Sequence, residues 1–398
     1  MPILLLLVIL PMISTDIYLP AIPSIEERLE ISGPNILDTL TSYMLGYSFS
    51  LIISGVLSDI YGRRRVVLVG MALFFIASVG CFMASSIGQL VVWRFFQALG
   101  GGCGTLVARV IVRDTYTADT QVRVLSYLAS GLVVSPILGP IIGAYLSIYF
   151  GWRSIFLALI ILSLSTWVLI LFNLRESLTL SRPIKTFQFG KVLSQSLILW
   201  GHREFVFNTL IISFAWAIYF TFITSSPALI QGIHKASAVE YGYIFSATIS
   251  GFVFGTIFIR WMISTFNLKR LVILAGFIIL ISTSALSVMS VIGVESLLLK
   301  LVSVFSSLFG IGVVFPATQA GVARSYNDNI GLISGIFYST EMLFGAIFGF
   351  VLSRIGSPSW ESTSLTMLIA SLCIVALCLF DSRSDVKTLQ IWSKISFK

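Results

Sequence analysis

Three ionisable residues stand among apolar neighbours: Asp16 in Ser14-Thr15-Asp16-Ile17-Tyr18-Leu19-Pro20, Arg94 in Trp93-Arg94-Phe95-Phe96-Gln97, and Glu341 in Ser339-Thr340-Glu341-Met342-Leu343. A carboxyl group in such surroundings takes up or releases a proton when its pairing or hydration changes, and a nearby guanidinium is a partner that can make that change. Asp16 and Arg94 are therefore a candidate proton-coupling pair; the plainer alternative is a static ion pair that pins two helices together. Glu341 is a second candidate for proton coupling, or a contact for a cationic ligand. It reads equally well as a neutral carboxyl hydrogen-bonded to Ser339 or Thr340.

Other chemistries find little support. The chain has no H-E-x-x-H metal motif, no strand followed by G-x-G-x-x-G and no G-x-S-x-G elbow, and an enzyme is not expected. His202 and His234 fall at the ends of apolar runs. Cys81, Cys103, Cys373 and Cys378 lie inside apolar stretches without C-x-x-C spacing and read as small packing residues, so neither a metal nor another cofactor is expected.

The elements that must position these groups are membrane helices. Hydrophobic residues make up 57% of the 398 positions and charged residues 11%, too few for a water-soluble surface. A helix crosses the hydrocarbon core in about 20 residues, so the length accommodates roughly twelve spans. Long continuous runs such as Val66 to Ala84 favour helices over a barrel, whose strands alternate in polarity over about ten residues. The apolar runs predict spans at 3–24, 36–58, 66–87, 89–112, 122–148, 153–173, 204–229, 239–261, 270–292, 296–320, 330–353 and 362–380. Met1 to Ile13 lacks a basic n-region and a small-residue cleavage site, so it reads as the start of the first span; a start further upstream is compatible with it.

The resulting organisation is an N-terminal six-helix bundle over 1–175, a cytoplasmic linker over 176–202, a C-terminal six-helix bundle over 203–381 and a cytoplasmic tail over 382–398. With both termini inside, 18 of the 25 Lys and Arg residues fall on the cytoplasmic side and 5 outside, as the positive-inside rule requires. The formal charge of +8 is thus spread over connecting loops and does not indicate a nucleic-acid partner. Equal halves suggest a duplication, with a site between them near the midplane and alternating access by rocking. In this orientation Asp16 lies about 12 Å and Arg94 about 8 Å from the outer surface, depths that allow them to meet, and Glu341 lies about 16 Å into the eleventh span.

At the end of the second span the chain reads Gly55-Val-Leu-Ser-Asp59-Ile-Tyr-Gly62-Arg63-Arg64-Arg65. Gly55 allows close helix contact, Gly62 permits a tight turn, and Asp59 needs cationic partners because a carboxylate opposes the dipole at a helix C-terminus. The stretch resembles the signature loop of the major facilitator superfamily, G-x-x-x-D-x-x-G-R-[RK]. The resemblance implies a gating role for Gly55, Asp59, Gly62 and Arg63, together with Arg113 in Arg113-Asp114. Arg94, followed by Gln97 and Gly100-Gly101-Gly102, resembles the superfamily's span-four motif, in which the arginine is linked to proton coupling.

The segment Asp16-Ile17-Tyr18-Leu19-Pro20-Ala21-Ile22-Pro23, with Arg109, Arg113-Asp114 and Gly151-Trp152-Arg153-Ser154-Ile155-Phe156, is similar to the Bcr/CflA group of bacterial drug:proton antiporters. The likeness is dense over residues 10 to 160. In the second half it rests on the span count and the small residues Gly331, Ser334 and Gly335. In span five, Gly139, Pro140 and Gly143 resemble the antiporter motif G-P-x-x-G-G, with Ala144 in place of the last glycine; plain packing of a kinked helix explains them too.

The aromatic pairs Tyr43 with Tyr47 and Trp216 with Tyr219 are candidates for a substrate pocket, although core or lipid contact also accounts for them. Together the resemblances imply an all-α, twelve-helix transporter in a bacterial inner membrane, working as a monomer. It would exchange protons for small amphipathic molecules, either in multidrug efflux or in export of an endogenous metabolite or siderophore. A proton-driven nutrient importer is the remaining alternative.

Overall fold

A computed structural model describes residues 1–29, 36–178, 197–262, 266–325 and 330–395. Twelve long helices account for most of them. The first, α1 (Pro2–Asp16), continues through a 3-10 turn (Leu19–Ala21) and a short helix (Ile22–Arg28). It is followed by α2 (Leu37–Tyr61), α3 (Arg63–Met83), α4 (Ile87–Thr115), α5 (Ala118–Phe150) and α6 (Arg153–Asn173). The second set comprises α7 (Arg203–Pro227), prolonged by a π-helical turn (Ala228–Ile233), α8 (Ala238–Met262), α9 (Leu268–Val291), α10 (Leu297–Ser325), α11 (Ile330–Ile355) and α12 (Trp360–Ile395). Eleven predicted spans each fall on one of these helices, and the first, 3–24, covers α1, the 3-10 turn and the start of the short helix. Among the described residues eleven helical segments are long and apolar enough to cross a membrane, α1 qualifying together with its continuation to Arg28, and α5 contributes the shorter apolar segment Val134–Phe150. The helix α12 continues through most of the segment expected as a tail. Of the expected linker, residues 179–196 lie outside the described residues.

Within the first set, α1 packs on α4 and α5, α2 on α4, α3 on α4, and α3 on α6. Adding six to each label gives the main contacts of the second set: α7 on α10 and α11, α8 on α10, α9 on α10, and α9 on α12. The contacts that join the sets, α2 with α11 and α5 with α8, exchange under the same operation. The chain is thus arranged as two six-helix units related by a pseudo-twofold axis, with the same packing solution used twice.

Large apolar side chains such as Val69, Phe172 and Val291 are more than two-thirds exposed, as suits a lipid-facing surface. Apolar burial therefore does not distinguish neighbour from lipid, and close backbone approach and buried hydroxyls supply the packing specificity. Ser42 donates to Val91 O across α2 and α4 at 2.6 Å, and Ser50 to Leu99 O at 2.6 Å.

The described contacts between the two units cluster towards the end of the bundle remote from the Gly62 turn. There Asp38 meets Arg354 at 3.6 Å, Gln231 donates to Pro20 O at 3.3 Å, and the Tyr145 and Tyr243 hydroxyls lie 3.4 Å apart. Deeper in, Ser246 donates to Ile137 O at 2.6 Å, and Ser48 donates to Ser339 O at 2.8 Å.

Candidate functional site

Asp16 is the last residue of α1. Proline at position 20 has no N–H to return to the Asp16 carbonyl, so the helix gives way to the 3-10 turn immediately beyond it. The interruption places the carboxylate at a break in a membrane helix, where backbone groups need partners from other elements.

The carboxylate itself is met by α5. The Ser135 hydroxyl donates to Asp16 Oδ2 at 2.6 Å, and the carboxylate is 5% exposed. One turn on, Gly139 leaves no room for a side chain: a Cβ there would lie 2.7 Å from Asp16 Cβ. At Gly143 the added atom would run into the Ile17 carbonyl oxygen. The glycines expected as an antiporter motif are thus the surface on which Asp16 and Ile17 rest. Pro140 lies on the other side of this contact, its carbonyl close to Gly242 of α8. Ser135 was not singled out from the sequence, although it stands four residues before Gly139 and hence on the same helix face.

Arg94 is fully buried, but the expected ion pair with Asp16 is not formed. Its Nη1 donates instead to Ser14 O (3.1 Å), Ser14 Oγ (2.9 Å) and Gln97 Oε1 (2.7 Å). The guanidinium carbon lies 4.2 Å from the Tyr43 ring centroid and 4.9 Å from that of Tyr18. Gln97 extends the network to Ser78 on α3 at 2.8 Å. The depths of the two residues agree, but their directions do not. Ser14 and Asp16 are two residues apart, about 200° around the helix, so when Ser14 faces α4 the Asp16 side chain is turned towards α5. Nε and Nη2 of Arg94 have no hydrogen-bond partner.

The Asp16 charge also acts across to the second unit, on Tyr219 of α7 and Tyr241 of α8, as well as on Tyr43. The aromatic candidates are buried on both sides of this junction. Tyr43 donates to Pro11 O at 2.6 Å and Tyr47 to Thr105 Oγ1 at 2.8 Å. Trp216 stacks on Tyr219 with centroids 4.9 Å apart.

Glu341 belongs to α11 and is 1% exposed. Neither expected hydroxyl reaches it: Ser339 is bonded to Ser48, and Thr340 donates to Ile336 O at 2.8 Å. Its Oε2 has no hydrogen-bond partner.

The signature loop is a separate construction at the other end of α2. Gly62 adopts φ +94°, a left-handed conformation that favours glycine, and so lets α3 begin at Arg63. Arg63 bridges Asp59 and Asp114, reaching the latter from Nε at 3.0 Å. The Gly55 carbonyl accepts from Ser58 at 3.0 Å, and Ser58 in turn accepts from Arg63 at 3.0 Å. Glu176 accepts from the backbone N–H groups of Arg63 (2.8 Å) and Arg64 (3.2 Å), a carboxylate at the positive end of the α3 dipole. Arg113, expected to share the gating role, is exposed, and the bond to Arg63 is made by its neighbour Asp114. Asp114 and Glu176 are the participants that sequence reasoning left unassigned.

His234 lies outside the spans, where its Nε2 accepts from Trp360 Nε1 at 3.1 Å. Partial burial, with the Lys300 charge nearby, holds its pKa below the ordinary histidine value. None of the four cysteines is joined in a disulfide, and among the described residues no group of three or more His, Cys, Asp and Glu side chains forms a candidate metal site.

Residues 4–349 match the family model described as Major Facilitator Superfamily. The chain is similar to the multidrug resistance protein MdtL of Shigella flexneri serotype 5b (strain 8401), at 27% identity over 94% of this chain and 93% of that protein. It is also similar to the uncharacterized MFS-type transporter YdgK of Bacillus subtilis (strain 168), at 27% identity over 86% and 85% of the two chains. Among solved structures, the xylose transporter XylE from E. coli, in a partially occluded inward-open conformation, superposes with a TM-score of 0.75 over 96% of this chain and 97% of that one. A crystal structure of a D-xylose-proton symporter gives 0.74 over 94% and 96%. Identity to both is 14%, so these two likenesses concern the fold alone.

Proposed function

That this chain belongs to the Major Facilitator Superfamily, and hence to transporters rather than enzymes, is the premise from which we propose a proton-coupled exporter of small amphipathic molecules, a multidrug carrier of the Bcr/CflA type. The single observation that carries the proposal is the seating of Asp16. A buried carboxylate at a helix break rests on Gly139 of α5, with the next residue on Gly143, is held by Ser135, and acts electrostatically on Tyr219 and Tyr241 of the other unit. The relation to proteins named for multidrug resistance supports the choice of cargo.

The working cycle follows from that seat. When the units rock, α5 and α8 move relative to one another, and any change in the Ser135 bond or in access of water alters the proton affinity of Asp16. One conformation then favours proton uptake and the other release, while substrate occupies the junction in the alternate half-cycle. Arg94 fixes the α1 backbone at Ser14, two residues from the carboxylate, and so acts as a positioning residue for it. Glu341 in the other unit is a second carboxyl able to carry a proton. Gly55, Asp59, Gly62, Arg63 and Asp114 form the gate, with Arg113 beside it on the surface. The distribution of basic loops supports a bacterial inner-membrane protein with both termini in the cytoplasm; the clustered inter-unit contacts then lie on the outer side, as in a carrier closed to the exterior.

The test uses everted vesicles with an acid interior, following release of the pH gradient when compounds from a broad drug panel are added. The full-length protein is expected to release it, and Asp16→Asn to insert normally but give no release. Full activity of Asp16→Asn would remove Asp16 from the mechanism.

A further inference from the structure

A cationic and an acidic side chain face the junction from opposite units with hydrogen-bonding capacity to spare. Arg109 of α4 holds its guanidinium 4.5 Å from the Tyr338 ring centroid of α11. Stacking on a ring face leaves guanidinium donors free. Glu341 follows Tyr338 by three residues, and so lies beside it on α11. The Arg109 charge acts on Glu341, but the two form no ion pair, and Glu341 Oε2 is unpartnered although buried. Tyr47 of α2 is acted on by both charges.

A turn further along α11, Gly345 makes room for a second unpartnered group. A Cβ at Gly345 would lie 2.8 Å from Trp216 Nε1, and that indole N–H has no acceptor. Trp216 presents an aromatic wall, stacked on Tyr219 and 5.9 Å from Phe315 between centroids. Buried polar atoms are rarely left without partners, and a charge at a distance does not occupy a carboxylate lone pair. The arrangement therefore offers an acceptor, a cationic donor and an apolar surface within one junction.

We propose that Arg109, Glu341 and Trp216 form the recognition site for an amphipathic zwitterion. The substrate's ammonium donates to Glu341, its carboxylate accepts from Arg109, and its apolar body lies on the Trp216–Tyr219 stack. An organic cation leaves the Arg109 donors unanswered and an organic anion leaves Glu341 unanswered. A zwitterion satisfies both, and because Arg109 and Glu341 come from different units it adds a bridge between them. The assignment rests on the reading of the junction as a transport site, and it names the charge class of the cargo.

Four ligands with one indole body separate the contributions: tryptophan (zwitterion), tryptamine (cation), indole-3-propionate (anion) and indole (neutral). Binding of tritiated tryptophan to the purified full-length protein in nanodiscs, without a pH gradient, is competed with the other three. Tryptophan is expected to bind about tenfold or more tighter than tryptamine or indole-3-propionate, each lost charged contact accounting for one such step. Glu341→Gln should bring tryptophan to the affinity of indole-3-propionate, and Arg109→Gln to that of tryptamine. Unchanged indole binding by both variants establishes that the junction is folded. Absence of binding by all four ligands, tryptophan binding no tighter than indole, or equal weakening of all four by either substitution overturns the proposal. The outcome is independent of coupling: equal affinities with substrate-driven proton release intact remove the zwitterion and keep export, whereas the graded series without proton release keeps the zwitterion and removes coupling.

Discussion

Replacing Gly139 with alanine places one methyl group where α5 touches α1 beside the carboxylate. The new Cβ would stand 2.7 Å from Asp16 Cβ, whereas carbon atoms in ordinary contact sit about 3.5–4.0 Å apart. The helices must therefore separate by about 1 Å. A rigid displacement of that size stretches the Ser135–Asp16 bond from 2.6 Å to about 3.6 Å, beyond the O–H···O range. Overpacking costs about 1–3 kcal/mol and the lost hydrogen bond about 1 kcal/mol, giving about 2–4 kcal/mol in all. Gly88→Ala is the control. Gly88 lies in the first turn of α4 with nothing within 4 Å of an added Cβ, so that change is expected to be neutral or stabilising by about 0.4–1 kcal/mol. Thermal unfolding of the purified variants reads the stability difference, and compound-driven proton release in everted vesicles reads the effect on Asp16. Gly139→Ala that is as stable as Gly88→Ala, with undiminished proton release, would refute the claim that α5 seats the carboxylate.

Arg94→Lys keeps the charge but loses the fork that holds Ser14 and Gln97 and the planar face over Tyr43; a lower unfolding temperature and reduced proton exchange are expected, and wild-type values for both would mean that position 94 need only be cationic. Gly62→Ala imposes a left-handed conformation on a residue with a Cβ and crowds Glu176, so a loss of about 1–2 kcal/mol in thermal stability is expected, with an unchanged unfolding temperature as the contrary result. His234 and His202 are the 2 histidines of the chain, so carbon-13 labelling of imidazoles resolves both. His234 is expected to titrate below its ordinary value of about 6.5. Because its folded pKa is depressed, the stability it contributes is present above the unfolded value and is lost as pH falls through the folded one, when the imidazole can no longer accept from Trp360. A midpoint at or above 6.5 contradicts this.

Composition and periodicity were enough to establish much of this protein. Few charges and twelve apolar runs require membrane helices, because lipid offers backbone groups no partners. The spacing of Gly62 and Arg63 announced a tight turn between α2 and α3, and the rarity of carboxylates in apolar segments marked Asp16 and Glu341. Sequence also fixes depth, since each residue advances a helix by about 1.5 Å, and on depth alone Arg94 and Asp16 were a plausible pair.

Direction is a different quantity. The face that a side chain presents to a neighbour depends on how each helix is rotated in the bundle, and that rotation is set by contacts from residues far apart in the chain. Only packing decided that Ser14 would meet Arg94 while Asp16 met Ser135 and Gly139. Likewise, only packing brought Arg109 and Glu341 to one junction from opposite units, and chose Asp114 and Glu176 to complete the turn at Gly62. In a membrane bundle apolar burial favours no particular rotation, because lipid and neighbouring helices are equally apolar. The positions of a few glycines and hydroxyls decide it, and their effect becomes visible only when the helices are assembled.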